Sequence, residues 1–217
     1  MLATLAGLSI LMVGDSHLAN GGYLIDTLQD QFTAAGASVH TLGVCGSTPA
    51  DWTTVKKGDC GGAERVNKAP LTVTGADAAT KPVKQLIAAE KPDLVVVVMG
   101  DTMASYKQAT FPKAWAWQQT SALTKDIGST GTACVWVGPA WGTEGGKFGK
   151  TFDRVKATSD FLASNVAPCT FIDSLKFSKP GAWRTMDGQH FTATGYKDWA
   201  KAIAEAVAAV PGLGKKK

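Results

Sequence analysis

Five short apolar runs constrain the fold of this chain more than any other feature of its sequence. Each run is continuously apolar instead of alternating with polar residues, a pattern typical of strands that are buried on both faces of a sheet. The runs are LSILMVG (8–14), SVHTLGV (38–44), DLVVVVMG (93–100), ACVWVGP (133–139) and CTFIDSL (169–175).

Amphipathic helical patterns separate these runs. They cover residues 22–35, 82–90, 112–127, 151–166 and 194–209. Strands that alternate with helices are joined by right-handed crossovers, which predict a mainly parallel sheet between two helical layers. We therefore expect an α/β protein, a three-layer α/β/α sandwich with a five-stranded sheet. No second core, repeat or linker is visible, so residues 1–217 are expected to form one domain, and we expect a monomer.

Composition and charge exclude several classes of protein. Apolar residues make up 45% of the chain and charged residues 18%, which argues against disorder and coiled coils. No apolar stretch approaches the roughly 18 residues of a membrane span. The apolar N-terminus lacks a basic start and a small-residue cleavage site, so it predicts a leading segment and a strand instead of a signal peptide. The net charge is +4, but no basic stripe with interleaved aromatics predicts nucleic-acid binding, and Lys215–Lys217 is expected to be a solvated end.

The chain has four cysteines, Cys45, Cys60, Cys134 and Cys169. Four cysteines allow two disulfides in three connectivities, and four buried free thiols are the alternative. Cys45 and Cys60 flank one glycine- and lysine-rich loop, while Cys134 and Cys169 lie in or beside two successive predicted strands. We expect these two pairs to be bonded, which predicts an oxidising compartment outside the cytoplasm. No cysteine or histidine spacing suggests a metal site, and we expect no cofactor.

A reactive polar cluster follows the first predicted strand, where ILMVG leads into Asp15, Ser16 and His17. Ligands bind beyond the carboxyl ends of strands in open parallel sheets, and Ser16 falls at such an end. The first turn of a following helix leaves its N–H groups unpaired. Ser16 is therefore a candidate nucleophile whose own N–H can contribute to an oxyanion hole. The alternative is that Asp15 or Ser16 simply caps a helix.

The segment TMDGQHFTATG precedes the last predicted helix and carries Asp187 and His190, three residues apart. That spacing can bring a carboxylate to Nδ1 of the imidazole and leave Nε2 to face a serine. His40 lies inside the second predicted strand, and His17 is adjacent to Ser16, where neighbouring side chains often diverge. His190 is therefore the best candidate for a general base, and a surface turn is the alternative.

Together these segments resemble the SGNH, or GDSL-type, hydrolases. Gly14-Asp15-Ser16 matches the first block of that family, Gly43-x-x-Gly46-x-Thr48 resembles the second, and Asp187-Gly188-Gln189-His190 matches the last. The resemblance spans the chain and implies the flavodoxin-like SGNH fold. It also implies a Ser16–His190–Asp187 triad and an oxyanion hole to which the N–H of Gly46 contributes.

One block departs from that family. After the third strand the family has Gly-x-Asn-Asp, whose asparagine donates to the oxyanion, whereas this chain has Gly100-Asp101-Thr102-Met103. Thr102 falls in the place of the asparagine, and its hydroxyl can donate one hydrogen bond over a shorter reach. Asp101 could donate only if protonated, and as an anion it would repel an oxyanion, so we expect this residue to contact substrate, with a loop hydrogen bond as the alternative.

A narrower resemblance concerns the SGNH domains attached to membrane acyltransferases. It rests on GDSH, the cysteine-flanked loop, the absent asparagine and DGQHFTATG. Those domains lie outside the cytoplasm and take part in O-acetylation of surface glycans, so the resemblance implies an acetylated carbohydrate substrate and a membrane acyltransferase as a potential partner. Trp141 and Trp183 fall on the same predicted edge of the sheet and are candidates for stacking on sugars, with ordinary packing as the alternative.

The sequence thus predicts a serine-dependent acyl-transfer enzyme that removes or installs O-acetyl groups on an extracytoplasmic polysaccharide. Two alternatives stay open: a lipid or thioester hydrolase of the same family, and an inactive glycan-binding domain with the same fold.

Overall fold

The computed structural model describes residues 5–213. The tail Lys215–Lys217, expected to be solvated, and the first four residues of the leading segment lie outside this range. Within it, the predicted strands and helices all form, with ends shifted by a few residues. The strands are β1 (Ser9–Gly14), β2 (Ser38–Val44), β3 (Gly62–Val66), β4 (Thr72–Thr74), β5 (Leu94–Val98), β6 (Ala133–Val137) and β7 (Thr170–Ile172).

Helices occupy the intervening segments on both faces of the sheet. They are α1 (Leu24–Ala34), α2 (Val83–Glu90), α3 (Asp101–Ala104), α4 (Lys113–Gly128), α5 (Phe152–Asn165) and α6 (Ala193–Ala208). Short 3₁₀ turns also form at Ser16–Leu18, Pro49–Thr53 and Ser174–Lys176. None of the helices in the described part of the chain is long and apolar enough to cross a membrane.

The sheet has the strand order β4-β3-β2-β1-β5-β6-β7, and β2, β1, β5, β6 and β7 are parallel. The parallel order confirms the predicted mainly parallel α/β architecture, but the predicted count of five strands was too low. β3 and β4 add an antiparallel pair beyond β2. They lie in the 46–80 connection, which is rich in glycine, lysine and threonine. Because these short strands form the sheet's edge, they do not show the apolar run of a strand buried on both faces.

The core lies in two layers because side chains of each parallel strand alternate between faces. In β1, Ile10 and Met12 pack with α1 and α6, whereas Leu11 and Val13 pack with α2, α4 and α5. All four side chains are at most 1% exposed. This double burial explains why the first run shows no polar alternation and fixes β1 at the centre of the sheet.

Two disulfides form between the predicted partners, Cys45 with Cys60 and Cys134 with Cys169. The first ties the end of β2 to the loop before β3, beside the carboxyl edge of the sheet. The second links the starts of the paired strands β6 and β7. The predicted pairing is therefore confirmed.

Candidate active site

The site begins at the point where the strand order reverses. β1 pairs with β2 on one side and with β5 on the other, and the last residues of the two strands, Gly14 and Val98, are register partners. The segments that leave β1 and β5 diverge toward opposite helical layers and leave a crevice between them, as in other doubly wound sheets. Ser16 follows β1, and Asp101 and Thr102 follow β5, so both segments enter this crevice.

The structure brings Ser16, His190 and Asp187 into one hydrogen-bonded line. Nε2 of His190 lies 2.8 Å from Oγ of Ser16, and Nδ1 of His190 lies 2.7 Å from Oδ2 of Asp187. A proton on Nδ1 satisfies both contacts, because Nδ1–H then donates to the carboxylate and Nε2 accepts from the serine hydroxyl. These two distances are those that a Ser-His-Asp acyl-transfer site requires.

The turn before α6 fixes the acid and the imidazole relative to each other. Oδ1 of Asp187 accepts the backbone N–H groups of Gln189 and His190, at 3.0 and 2.8 Å. One carboxylate oxygen therefore closes the turn while the other faces the ring. The turn therefore keeps the Asp187 carboxylate beside the His190 ring, as the Asp-x-x-His spacing of the sequence predicted.

Burial and hydrogen bonding set the protonation of this pair. Burial, together with the charge that the neighbouring His17 can carry, lowers the pKa of His190 below its ordinary value. Burial alone would raise the pKa of Asp187, but hydrogen bonds from the ring and backbone of His190 outweigh burial and lower it. Near neutral pH the site therefore holds an ionised carboxylate beside a neutral imidazole, which is the state of a general base.

Ser16 and Gly46 both line this crevice. Their backbone N–H groups have no hydrogen-bond partner among residues 5–213. Gly46 has φ +82°, and a Cβ added there would lie 2.4 Å from Oδ2 of Asp59. The left-handed backbone and the contact with Asp59 both require glycine at this position.

Thr102 lines the crevice, but its hydroxyl faces an acid. The Thr102 hydroxyl donates to Oδ2 of the buried Asp15 over 3.4 Å, and Oδ1 of Asp15 accepts the N–H of His17. Burial raises the pKa of Asp15. The long contact leaves the Thr102 hydroxyl weakly held and free to turn toward another acceptor.

Asp101, predicted to contact substrate, has its carboxylate occupied by protein groups. It accepts hydrogen bonds from Nζ of Lys150 at 2.8 and 3.1 Å, from Nε2 of His17 at 2.9 Å and from the hydroxyl of Tyr106. The second nitrogen of His17 lies 3.0 Å from the hydroxyl of Tyr196. Asp101 borders the crevice while its charge is neutralised inside the protein.

The cleft around Ser16 has a volume of about 660 Å³ and mixed polar and aromatic walls. It is lined by Ser16, Asn20, Tyr23, Cys45, Gly46, Asp59, Cys60, Asp101, Thr102, Ser105, Tyr106, Lys107, Gln108, Lys147, Phe148, Asp187, Gln189 and His190. The ring of Tyr23 stacks on His190 with centroids 5.6 Å apart, and the ring of Phe148 meets the same imidazole edge-on at 5.6 Å.

The two tryptophans proposed for sugar stacking do not line this cleft. Nε1 of Trp141 donates to the carbonyl of Leu175 at 3.0 Å, and the Trp141 ring packs edge-on against Phe152. Trp183 packs edge-on against Phe191, which belongs to the core beneath α6. Both rings follow strands at the expected edge, yet their side chains pack against protein.

Sequence reasoning missed several residues of the site. Lys150 is fully buried, although lysine side chains are usually exposed. Nothing in the surrounding sequence, GGKFGK, distinguishes Lys150 from an exposed lysine. Tyr23 and Phe148 lie in loops or at helix starts with no spacing that marks them. Their one available signal is position, because both follow strands whose carboxyl ends open on the crevice. Among the described residues, no group of three or more His, Cys, Asp or Glu side chains is placed to hold a metal ion.

We expect Gly46→Ala to destabilise the protein more than Gly22→Ala. Gly22 has φ +78° with nothing within 4 Å of an added Cβ, so it reports the backbone strain alone. That strain is worth roughly 1–3 kcal/mol, and the contact with Asp59 adds to it at Gly46. The free energies of unfolding in urea give the comparison. Equal losses in the two variants would contradict the packing described for Gly46.

Comparison with known proteins gives one curated relative and a set of structural neighbours. The chain is 42% identical to protein BcsX of Komagataeibacter xylinus over 219 residues, which cover 100% of this chain and 82% of the relative. No family model matches the chain.

The structural neighbours have the SGNH fold at low sequence identity. A GDSL-like lipase from Bacteroides thetaiotaomicron superimposes with a TM-score of 0.56 at 13% identity, covering 92% of this chain and 87% of the lipase. An acetylxylan esterase from Geobacillus stearothermophilus, solved as a catalytic mutant, superimposes with a TM-score of 0.55 at 16% identity and 98% coverage of both chains. The chain therefore has an SGNH, GDSL-like hydrolase fold, as its sequence blocks indicated.

Proposed function

The chain belongs to the same family as protein BcsX and has an SGNH hydrolase fold, and from this premise we propose that it is a serine-dependent acyl-transfer enzyme. It acts on O-acetyl esters of an extracytoplasmic polysaccharide. It either removes acetyl groups from the polysaccharide or transfers acetyl groups to its hydroxyls. The observation that carries the proposal is the unbroken line of hydrogen bonds from Asp187 through His190 to Ser16.

The distances support one order of events. Oγ of Ser16 attacks the ester carbonyl while Nε2 of His190, 2.8 Å away, takes its proton. Asp187 keeps the ring in the required tautomer and stabilises the imidazolium that forms. His190 then protonates the departing sugar oxygen, leaving an acetyl group on Ser16. Water or a second sugar hydroxyl resolves this intermediate, so hydrolysis and transfer use the same residues.

We propose an oxyanion hole formed by the N–H groups of Ser16 and Gly46 and the hydroxyl of Thr102. The two N–H groups lack partners among the described residues and border the cleft. The Thr102 hydroxyl must leave its long contact with Asp15 in order to donate to the developing anion. Such donors stabilise charge that exists only in the transition state.

Features of the cleft favour a carbohydrate substrate. Tyr23 and Phe148 stand beside His190, where the sugar that carries the ester must lie, and aromatic rings can pack against the apolar face of a sugar ring. Asn20, Gln108 and Lys107 add hydrogen-bonding groups to the walls. The acetylxylan esterase among the structural neighbours has the same fold, and we extend its class of substrate to this chain as part of the proposal.

We also propose that the protein acts outside the cytoplasm, with a membrane acyltransferase as a potential partner. The two disulfides support this location, because disulfides persist in oxidising compartments. An acetyl donor on the same side of a membrane as the glycan would supply the transfer reaction.

The first prediction concerns the nucleophile. Ser16→Ala should abolish turnover of p-nitrophenyl acetate and of acetylated polysaccharide, because no other hydroxyl is hydrogen-bonded to His190 among the described residues. The unaltered protein should be labelled at Ser16 by a fluorophosphonate. Ser164→Ala is a matched control, since Ser164 is exposed on α5 and its hydroxyl donates to the carbonyl of Asp160. A Ser16→Ala protein with near-native turnover would rule out the proposed chemistry.

The second prediction concerns pH. His190 must be neutral to accept the proton, and its pKa is lowered by burial, so activity should persist below the ordinary histidine pKa of about 6.5. We expect kcat/KM to fall as the pH is lowered through a midpoint below that value. The measurement is a pH–rate profile with an uncharged acetyl ester. A midpoint at or above about 6.5 would contradict the environment described for His190.

The third prediction concerns Thr102. Thr102→Val keeps the shape and removes the donor, so kcat should fall roughly 10- to 1000-fold, as in other oxyanion-hole deletions. KM should change little, because the hydrogen bond forms mainly in the transition state. Thr102→Ser is the matched control and should retain most of the activity. An unchanged kcat in Thr102→Val would contradict a role for this hydroxyl in the oxyanion hole. The N–H groups of Ser16 and Gly46 would then stabilise the oxyanion without it.

A further inference from the structure

A lysine with no contact with solvent lies at the end of the loop that follows β6. Lys150 is 0% exposed, and its Nζ donates to both oxygens of Asp101 and, at 2.9 Å, to the carbonyl of Ala140. A buried ammonium is costly unless it is paired and fully hydrogen-bonded. These contacts use all three Nζ protons, so the geometry is that of a specific anchor.

The partner of this lysine belongs to the segment that leaves β5. Burial favours the neutral form of Asp101, but the Lys150 ammonium and the bond from His17 outweigh burial and hold the pKa of Asp101 well below its usual value. The carboxylate is therefore charged at neutral pH, and it lies 2.8 Å from Nζ of Lys150. Asp101 is adjacent in sequence to Thr102, and His17 is adjacent to Ser16. The Lys150–Asp101 ion pair is therefore connected to the segments that carry Thr102 and Ser16.

The loop that ends at Lys150, residues 142–150, is here called the strap. It lies against the turn that carries the imidazole: the N–H of Thr143 donates to the carbonyl of Gly188 at 3.0 Å, and the N–H of Lys147 donates to the carbonyl of Asp187 at 2.9 Å. At Gly146 an added Cβ would lie 2.1 Å from the carbonyl oxygen of Asp187, so only glycine permits this approach. The strap is thus in direct contact with the turn that carries Asp187 and His190.

We propose that Lys150 is a positioning residue: its ion pair with Asp101 fixes the strap, and the strap holds the turn of Asp187 and His190 in reach of Ser16. The inference rests on the proposed function for its catalytic consequence. The anchor joins the segment after β5 to the turn before α6, which are far apart in sequence. It is a link between the two halves of the site in addition to the Ser16–His190 hydrogen bond.

The test separates positioning from stability by removing both charges together. In Lys150→Met/Asp101→Asn neither member of the ion pair is left as an unpaired buried charge, so the folded state is spared the penalty that either single change carries. We expect kcat to fall about 10- to 100-fold, because displacements near 1 Å have effects of that order. KM should stay within about twofold. Lys156→Met, an exposed lysine on α5, is the matched control.

A second measurement follows the strap without relying on activity. Amide hydrogen exchange of Thr143 and Lys147 should be slow in the unaltered protein and at least about tenfold faster in the double variant, with β1 and β5 still protected. The proposal is overturned by native kcat in the folded double variant, by unchanged exchange there, or by unprotected Thr143 and Lys147 amides in the unaltered protein. Because exchange reports the anchor alone, failure of the acyl-transfer proposal, seen as turnover by Ser16→Ala, is distinguishable from failure of this one.

Discussion

The reversal of strand order at β1 is the constraint on which the rest of the structure depends. β1 pairs in parallel with both β2 and β5, so the chain must leave these strands toward different helical layers and open a crevice between them. Ser16 and Thr102 enter that crevice because each follows one of the two strands. The turn of Asp187 and His190 reaches it from the start of α6, which packs beside α1. A continuous apolar core on both faces of the sheet makes this arrangement rigid.

Buried charge is the second feature that organises the site. Three ionisable side chains, Asp15, Asp101 and Lys150, have almost no contact with solvent, and His17 lies among them. Lys150 neutralises Asp101, while Asp15 is held by hydrogen bonds and has a raised pKa. Where SGNH hydrolases carry an oxyanion-hole asparagine, this chain has a charged network with a threonine at its edge. Lys150 neutralises the Asp101 carboxylate next to this threonine.

Much of the fold, and the approach of Asp187 to His190, could be predicted from the sequence because the relevant signals are local. Burial on both faces leaves a continuous apolar run, and three-residue spacing brings Asp187 to His190. The disulfide partners could be predicted because their cysteines lie on one loop or on paired strands. β3 and β4 could not, since edge strands show no such run. Lys150 could not either, because its burial depends on Asp101, which is 49 residues away along the chain. Trp141 follows β6 at the expected edge of the sheet, but packing against Phe152 sets the direction of its side chain, and the sequence does not show this contact.

The most direct test of the central claim is the detection of an acetyl group on Ser16 during turnover. The protein would be mixed with an acetylated polysaccharide, quenched in acid within the first turnover, digested and analysed by mass spectrometry. The account predicts one acetyl group on the peptide that contains Ser16, absent from an Asp187→Asn protein, in which the imidazole loses its carboxylate partner. Acetate release without acetylation at Ser16, or acetylation at another residue, would contradict it.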